Sequence, residues 1–557
     1  MTVAHNLAKT AHRRGEDPPS LRWCVTFGSV VTCDWAGGGR LGRVSRVVSS
    51  LIFGSVVIGC GGAPGTRAGN QTQPPPPAAS SQGPIALATG EVIEVDPSAS
   101  TFGAELVAPT GNEKFVLILA STKLSNPDRP IGYSVARRAA ARGRASPRDA
   151  CSVKRSLEPH RAPPEPPPVA VAGAVVPTAG AGRTFVFRAH GGTERVAARA
   201  VAVGAASVAW ADTTSEHPAS LETSFVAEFQ SDFERLILPR ARAVFGTESD
   251  VDGDGRIALL FTPLTSGAGV AFFSGCDLSP KSACDGSNEA ELLYLTPPNA
   301  IQPPYNTPRA VKEILAHELE HLIHHHRKVL RNHLRADPDA AYMLEGFGAL
   351  AQDVVGFQAG NLYVTKAGLD EIDDFSFADL LPDGAEYARD RDGALRGGAY
   401  LFVRWLYDRA GGDRVGPDGR VEDLGGPSLV RSLLDAPSSV AAELPSRTAA
   451  PIADLMMDFF TALALGGVAP SNPCFRYLPT SIDPVTGRQR GADLFASFHG
   501  MRMQGPALQD GARADGRLRP GGVEYLVLDA EPGAARLPFT VSVDAGASPR
   551  LRVARVR

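Results

Sequence analysis

The sequence predicts a multidomain α+β chain in which a helix-rich central unit lies between β-rich ends. Its 557 residues leave room for two to four domains of about 100 to 200 residues each. Apolar residues at helical spacing are concentrated between about residue 220 and residue 465, whereas short apolar and β-branched stretches bounded by Gly, Pro, Ser and Asn lie on either side. The predicted division is a signal region with an over-long start at 1–59, a Pro/Gly/Ser linker at 60–84, and an N-terminal β domain with a Pro/Arg-rich insertion at 85–195. A central domain at 196–475 and a C-terminal β domain at 476–557 complete it.

Composition narrows the function classes. Apolar residues make up 43% of the chain and charged residues 21%, which excludes wholesale disorder and fibrous repeats. The net charge of −4 is a small difference between 56 basic and 60 acidic side chains, so no global field favours nucleic acid, and no nucleic-acid partner is expected.

The run Val47 to Gly59, VVSSLIFGSVVIG, follows Arg40, Arg43 and Arg46 and precedes Cys60. Basic flank, apolar stretch and small residue have the order of an export signal, too short to be a membrane-spanning helix. The ending Val57-Ile58-Gly59-Cys60 resembles the lipobox of bacterial lipoproteins, which implies lipidation of Cys60, a membrane partner through that anchor, and a place at the bacterial cell envelope. Cleavage to a secreted chain is the alternative. The segment after Cys60 is too poor in apolar groups to fold and reads as a tether. In an oxidising compartment Cys276 and Cys284 could close the loop between them as a disulfide, and a bond between Cys151 and Cys474 is open.

Further along, EVIEV, KFVLILAS, TFVFRAH and ARAVAVGAASVAWAD read as strands, with an irregular Arg/Pro/Ala insertion at 139–182. Phe225, Phe229, Phe233, Leu236 and Ile237 recur at spacings of three and four and predict one buried helical stripe, which Pro239 should kink or end. The next helix is marked by Thr307 as cap and Pro308 at its first position. More helices are predicted at AAYMLEGFGALAQDVVG, GALRGGAYLFVRWLYDRAGG and APIADLMMDFFTALAL, and short strands from about Cys474 onward.

The helix that Thr307 opens contains His317-Glu318-Leu319-Glu320-His321, an HExxH motif. Residues four apart share a helical face, so both imidazoles can meet one Zn²⁺, and Glu318 beside that face can take a proton from a water the metal activates. Glu345, which lies 24 residues beyond His321 on a second helix-like segment, is the candidate third ligand. Two His and one Glu leave a coordination position open for chemistry.

This arrangement resembles the gluzincin metallopeptidases, whose third ligand is a Glu on a downstream helix, often followed by Gly as Gly346 follows here. The metzincin pattern fails, because His324 and Arg327 stand where it needs Gly and His. From about Ser220 to Gly412 the order FGTESDVDGDGRIALLFTPL, GVAFFSGCDL, SNEAELLYL, HExxH, LEGFGALAQD and GAYLFVRWLYDRAGG is similar to the hyicolysin family of neutral metallopeptidases. The resemblance implies a gluzincin-like catalytic domain, His317, His321 and Glu345 as zinc ligands, Glu318 as general base, and polypeptide substrates. Where the family commonly has Trp-Leu-Asn-Glu-Gly, this chain has Tyr342-Met343-Leu344-Glu345-Gly346, so its substrate contacts differ. The expected activity is zinc-dependent hydrolysis of peptide bonds. The alternative is a catalytically silent metal-binding or adhesive envelope lipoprotein.

Other residues receive assignments. Tyr400, or Tyr387, is a candidate donor to developing negative charge, with a core or surface aromatic as the alternative. Asp353 is a candidate to orient a ligand His or is an exposed helix carboxylate. His324 is about 10 Å along the axis from His317, too far to join its site, which leaves His324, His325 and His326 a solvated or supporting role or an accessory metal site. Asp250, Asp252 and Asp254 have the spacing of half a calcium loop, so Ca²⁺ is a second possible cofactor. Phe261 stands where an EF-hand would have its bidentate Glu, and a plain Asp-Gly turn is the alternative. SNEAELLYL reads as an edge strand that aligns a peptide or as a core strand.

Overall fold

The computed structural model describes residues 83–557 apart from 98–99, 126–128, 138–144, 148–167, 169–174, 190–191, 215–220, 268, 304, 358–360, 383, 385–389, 496, 499–500 and 512–514. The run read as an export signal, Cys60, Cys151 and Tyr387 lie outside the described residues. The chain is mixed α and β, with several sheets.

Five strands open it: β1 (Val92–Val95), β2 (Thr101–Val107), β3 (Lys114–Ser121), β4 (Ile131–Ala136) and β5 (Ala145–Pro147). Each of β1 to β4 pairs antiparallel with a strand from the last 50 residues. β3 lies between Val523–Asp529 and Pro549–Arg555, β1 pairs Pro549–Arg555, and β2 and β4 flank Arg536–Val543. The two end segments, expected as separate β domains, therefore make one two-sheet unit. Pro549–Arg555 separates β3 from β1 and Arg536–Val543 separates β4 from β2, so β1 shares a sheet with β3, and β2 with β4, only through strands of the other end.

KFVLILAS shows the reason in its own sequence. Phe115, Leu117 and Leu119 enter the core between the two sheets, while Val116, Ile118 and Ala120 join the core of the helical unit on the opposite face. A strand buried on both faces reads as an unbroken apolar run. Tyr525 fastens the layers, its buried hydroxyl donating to the Phe460 carbonyl at 2.8 Å.

The central sheet contains β6 (Gly182–Ala189), β7 (Gly192–Val203), β8 (Ser207–Asp212), β9 (Ile257–Phe261), β10 (Ala271–Phe273) and β11 (Leu292–Leu295), in the order β10-β11-β9-β8-β7-β6. The boundary expected at residue 195 falls inside β7, so TFVFRAH belongs to this sheet rather than to the N-terminal strands. SNEAELLYL contributes β11, an interior strand, and the edge beside it is β10.

Helix α1 (Thr223–Asp232) runs through a π-helical turn at Phe233–Ile237 into α2 (Leu238–Phe245). Phe229, Phe233 and Ile237 are fully buried, as the spacing predicts. Pro239 does not end the helix. The wider turn falls just before it, and Pro239 occupies the start of the α turns that resume, where its missing N–H costs least. The following helices are α3 (Pro308–His325), α4 (Ala341–Val354), α5 (Asn361–Asp370), α6 (Asp392–Arg409), α7 (Gly426–Leu434), α8 (Val440–Thr448) and α9 (Ile452–Ala464). Thr307 caps α3, its hydroxyl accepting from Ala310 N at 3.2 Å. Among the described residues, no helix is long and apolar enough to cross a membrane.

Candidate metal centre

α3 is buried on most of its circumference. Val311, Leu315, Leu319 and Leu322 anchor it, and this fixes the rotation that turns His317 and His321 to the same side. Their rings lie 4.6 Å apart between centroids and nearly perpendicular at 86°. α4 crosses this face and delivers Glu345, whose Oε2 is 3.2 Å from His317 Nε2. One ligand-capable atom from each of His317, His321 and Glu345 lies within 4.8 Å of the other two.

The two glycines of Leu344-Glu345-Gly346-Phe347-Gly348 make that approach possible. A Cβ on Gly348 would stand 2.6 Å from Cε1 and Nε2 of His317, so the imidazole occupies space a side chain would need. A Cβ on Gly346 would stand 3.0 Å from the backbone of Ala399, so α4 and α6 approach to near contact there. Imidazole, imidazole and carboxylate suit Zn²⁺, whose ligand bonds of about 2.0 to 2.2 Å require only small closure of this group.

Glu318 is buried beside the pair, and its Oε2 accepts from the Phe273 N–H of β10 at 3.0 Å. The general-base candidate therefore rests against the edge strand of the central sheet. Burial pushes its carboxyl up from the ordinary range, against the pull of the His317 and His321 imidazoles. For Glu345 burial acts in the same sense but loses: the Arg396 guanidinium and His317 hold the carboxyl down at about 2. Burial disfavours a charged His321, yet the hydrogen bond to Glu320 and the carboxylates of Glu318, Glu320 and Glu345 hold it up at about 9.

The structure adds residues that sequence reasoning missed. Glu320, completely buried, spans two imidazoles: Oε2 faces His321 Nδ1 at 3.1 Å and Oε1 faces His324 Nδ1 at 3.2 Å. Its carboxyl is held below the ordinary range by those contacts despite burial, so it accepts and both Nδ1–H groups donate. That leaves His321 Nε2 for a metal. The signal was an acidic residue inside the motif, one position before His321 and four before His324. Arg396 of α6 pairs with Glu345 and, through Nε, with Asp392 Oδ2 at 2.9 Å. An Arg four residues after an Asp in the first turns of the helix was its only signature.

For Tyr400 the structure shows the core aromatic rather than the donor to developing charge. It is fully buried, and its hydroxyl donates to Asp353 Oδ2 at 3.0 Å. Asp353 does not orient a ligand His either: it receives Tyr400, Arg404 Nη1 at 2.8 Å and the Gly491 N–H at 2.9 Å. A lone buried carboxylate demands such partners, and these side chains are absorbed by an internal ion-pair cluster. His325 packs its ring 5.9 Å from Phe273, and burial pushes it down to about 4. His326 Nδ1 donates to the Thr247 carbonyl at 3.0 Å. His324 is completely buried rather than solvated.

Cys276 and Cys284 form the expected disulfide, closing the loop that follows β10. Cys474 is disulfide-bonded as well; Cys151, the partner left open for it, lies outside the described residues. Asp250, Asp252 and Asp254 gather closely enough to hold a metal ion, yet each also closes its own turn: they accept from the N–H groups of Gly255, Asp254 and Arg256 at 3.0, 3.3 and 2.7 Å. Glu291, unforeseen there, accepts from Ser249 Oγ at 2.6 Å and Val251 N at 2.9 Å. No protein-family model matches the chain, and the search of curated proteins finds no match.

Proposed function

We propose that the chain is a zinc-dependent peptidase acting on polypeptides, of the gluzincin-like kind that its motif order resembles. The convergence of His317, His321 and Glu345, with Glu318 alongside, carries this reading. Those three side chains would hold Zn²⁺, which supplies Lewis acidity toward a peptide carbonyl and lowers the pKa of water. Glu318 takes a proton from the attacking water and passes it to the departing amine, which needs a carboxylate held at a fixed place yet free on one oxygen. Its bond to Phe273 N uses Oε2 and leaves Oε1 for that exchange. Glu320 holds the ring of His321, and Arg396 neutralises and orients Glu345. β10, at the sheet edge beside Glu318, offers backbone against which an extended peptide can align.

The test is Glu318→Gln in the full chain. Hydrolysis of a proteome-derived peptide mixture should fall by about 10²- to 10⁴-fold, the scale of lost acid-base catalysis, while zinc content stays at the wild-type level. Wild-type protein that holds zinc but cleaves nothing would leave the metal-binding, catalytically silent alternative. We further infer that Cys60 is lipidated at the envelope, on the Val57–Cys60 ending and the tether after it. A mature N-terminus without acylated Cys60 in mass spectrometry would refute that.

A further inference from the structure

A second cluster lies on the opposite side of Glu320. His324 Nε2 is 3.2 Å from Asp339 Oδ2 and 3.7 Å from Asp337 Oδ2, and one ligand-capable atom of each residue lies within 4.8 Å of the others. His324 and Asp339 are completely buried, whereas the Asp337 side chain is 22% exposed and opens the cluster to solvent. Lys328, also buried, places Nζ 3.8 Å from Asp339 Oδ2 and donates to the Leu433 carbonyl at 2.6 Å. The Val440 N–H donates to the other oxygen of Asp339 at 2.5 Å.

Two features point to a cation between these groups. The first is tautomer: Glu320 takes the Nδ1 proton of His324 just as it takes that of His321, so one carboxylate presents two Nε2 atoms, one toward each cluster. The second is charge. Of the three carboxylates against His324, Glu320 is shared with His321 and Asp339 lies 3.8 Å from the Lys328 ammonium. A proton on His324 Nε2 meets Asp339 at 3.2 Å and leaves Asp337 Oδ2 at 3.7 Å, whereas a divalent ion on neutral His324 contacts all three donors.

We propose that His324, Asp337 and Asp339 form a second divalent-metal site, joined to the first through the Glu320 carboxylate. One imidazole nitrogen with two carboxylate oxygens selects a borderline transition ion such as Zn²⁺ over Ca²⁺ or Mg²⁺, which prefer all-oxygen shells. Asp337 supplies the route of entry and a face for solvent. The site does not depend on the peptidase reading.

Zinc itself is the probe. The full chain is equilibrated with zinc, freed of excess, and its zinc-to-protein ratio measured by mass spectrometry of the element, for wild type, Asp337→Asn, Asp339→Asn, and a His317→Ala/His321→Ala double variant. Two zinc ions per wild-type chain, falling to one in Asp337→Asn and one in the double variant, are expected. Asp337 is the first choice because its side chain is partly exposed; Asp339→Asn repeats the test where burial endangers folding. One zinc in wild type and none in the double variant overturns the proposal and leaves His324 as an internal countercharge. Two zinc ions in both wild type and Asp337→Asn overturns it as well, by placing the second ion elsewhere. One zinc retained by the double variant but lost in Asp337→Asn upholds this site and removes the peptidase centre instead.

Discussion

Gly348→Ala tests the centre without touching a ligand. The added Cβ would stand 2.6 Å from Cε1 and Nε2 of His317 and 2.7 Å from Cδ2, where ordinary contact begins at 3.4 Å. The ring or α4 must therefore yield by roughly 0.8 Å, beyond the 0.5 Å or so within which a functional constellation has to be held. His317 cannot give way freely, because the same Nε2 faces Glu345 at 3.2 Å. Overpacking costs about 1 to 3 kcal/mol, and replacing a mid-helix Gly by Ala returns about 1 kcal/mol, so the variant stays folded. Zinc affinity, measured by competition with a chromophoric chelator, should fall about 10- to 100-fold, the range typical of disturbed ligand orientation. Hydrolysis should fall by about 10², the scale of a 1 Å misplacement. A folded Gly348→Ala protein that binds zinc as tightly as wild type would refute the packing of His317 over α4, and with it the account of why Gly follows the third ligand at that spacing.

Glu320→Ala leaves two buried imidazole N–H groups without their acceptor and should cost about 10- to 100-fold in zinc affinity, with Glu320→Gln between, since one amide oxygen can serve only one of the two rings; equal affinities for all three proteins would sink this. Cys276→Ser/Cys284→Ser opens an eight-residue separation and should lower stability by about 2.5 kcal/mol in the loop-entropy account, read by urea denaturation; an unchanged midpoint would count against it. Burial pushes the Glu291 carboxyl up to about 7 from 4.5, so the folded chain binds more protons than the unfolded one between those values. Its contribution is fully present below about 4.5 and lost as pH rises through about 7. Glu291→Gln should therefore raise the melting temperature at pH 8 and much less at pH 5; equal shifts at both would refute it.

The parts of the site legible in the sequence are those fixed by short-range geometry. His317 and His321 share a face because the helical period places residues four apart together, and Thr307 with Pro308 marks where that period starts. The Cys276–Cys284 bond was legible because a loop that short leaves few other partners. The partners of Tyr400 and Asp353 were not. Tyr400 takes Asp353 from another helix, and Asp353 takes Gly491 from 138 positions away. No local pattern distinguishes a hydroxyl aimed at a substrate from one aimed at a buried carboxylate. The merging of the end strands was hidden for the same reason. Each strand shows its own apolar pattern, whereas Thr101 pairing with Ser542 is a long-range contact that no local period encodes.

Glu320 shows what such local reading omits even at the motif itself. The two middle positions of HExxH read as filler, because the chemistry asks nothing of them. Here the second of them follows the helix into the protein interior, where a carboxylate survives only if donors meet both its oxygens. His321 and His324 meet them, at positions +1 and +4, and each imidazole is thereby held with the opposite nitrogen facing outward. Burial of one acidic side chain thus fixes two rings at once. Its cost is offset only while both donors remain, so a change at His324 must be felt at His321, and the zinc affinity of a His324→Gln protein reports on a ring it never touches.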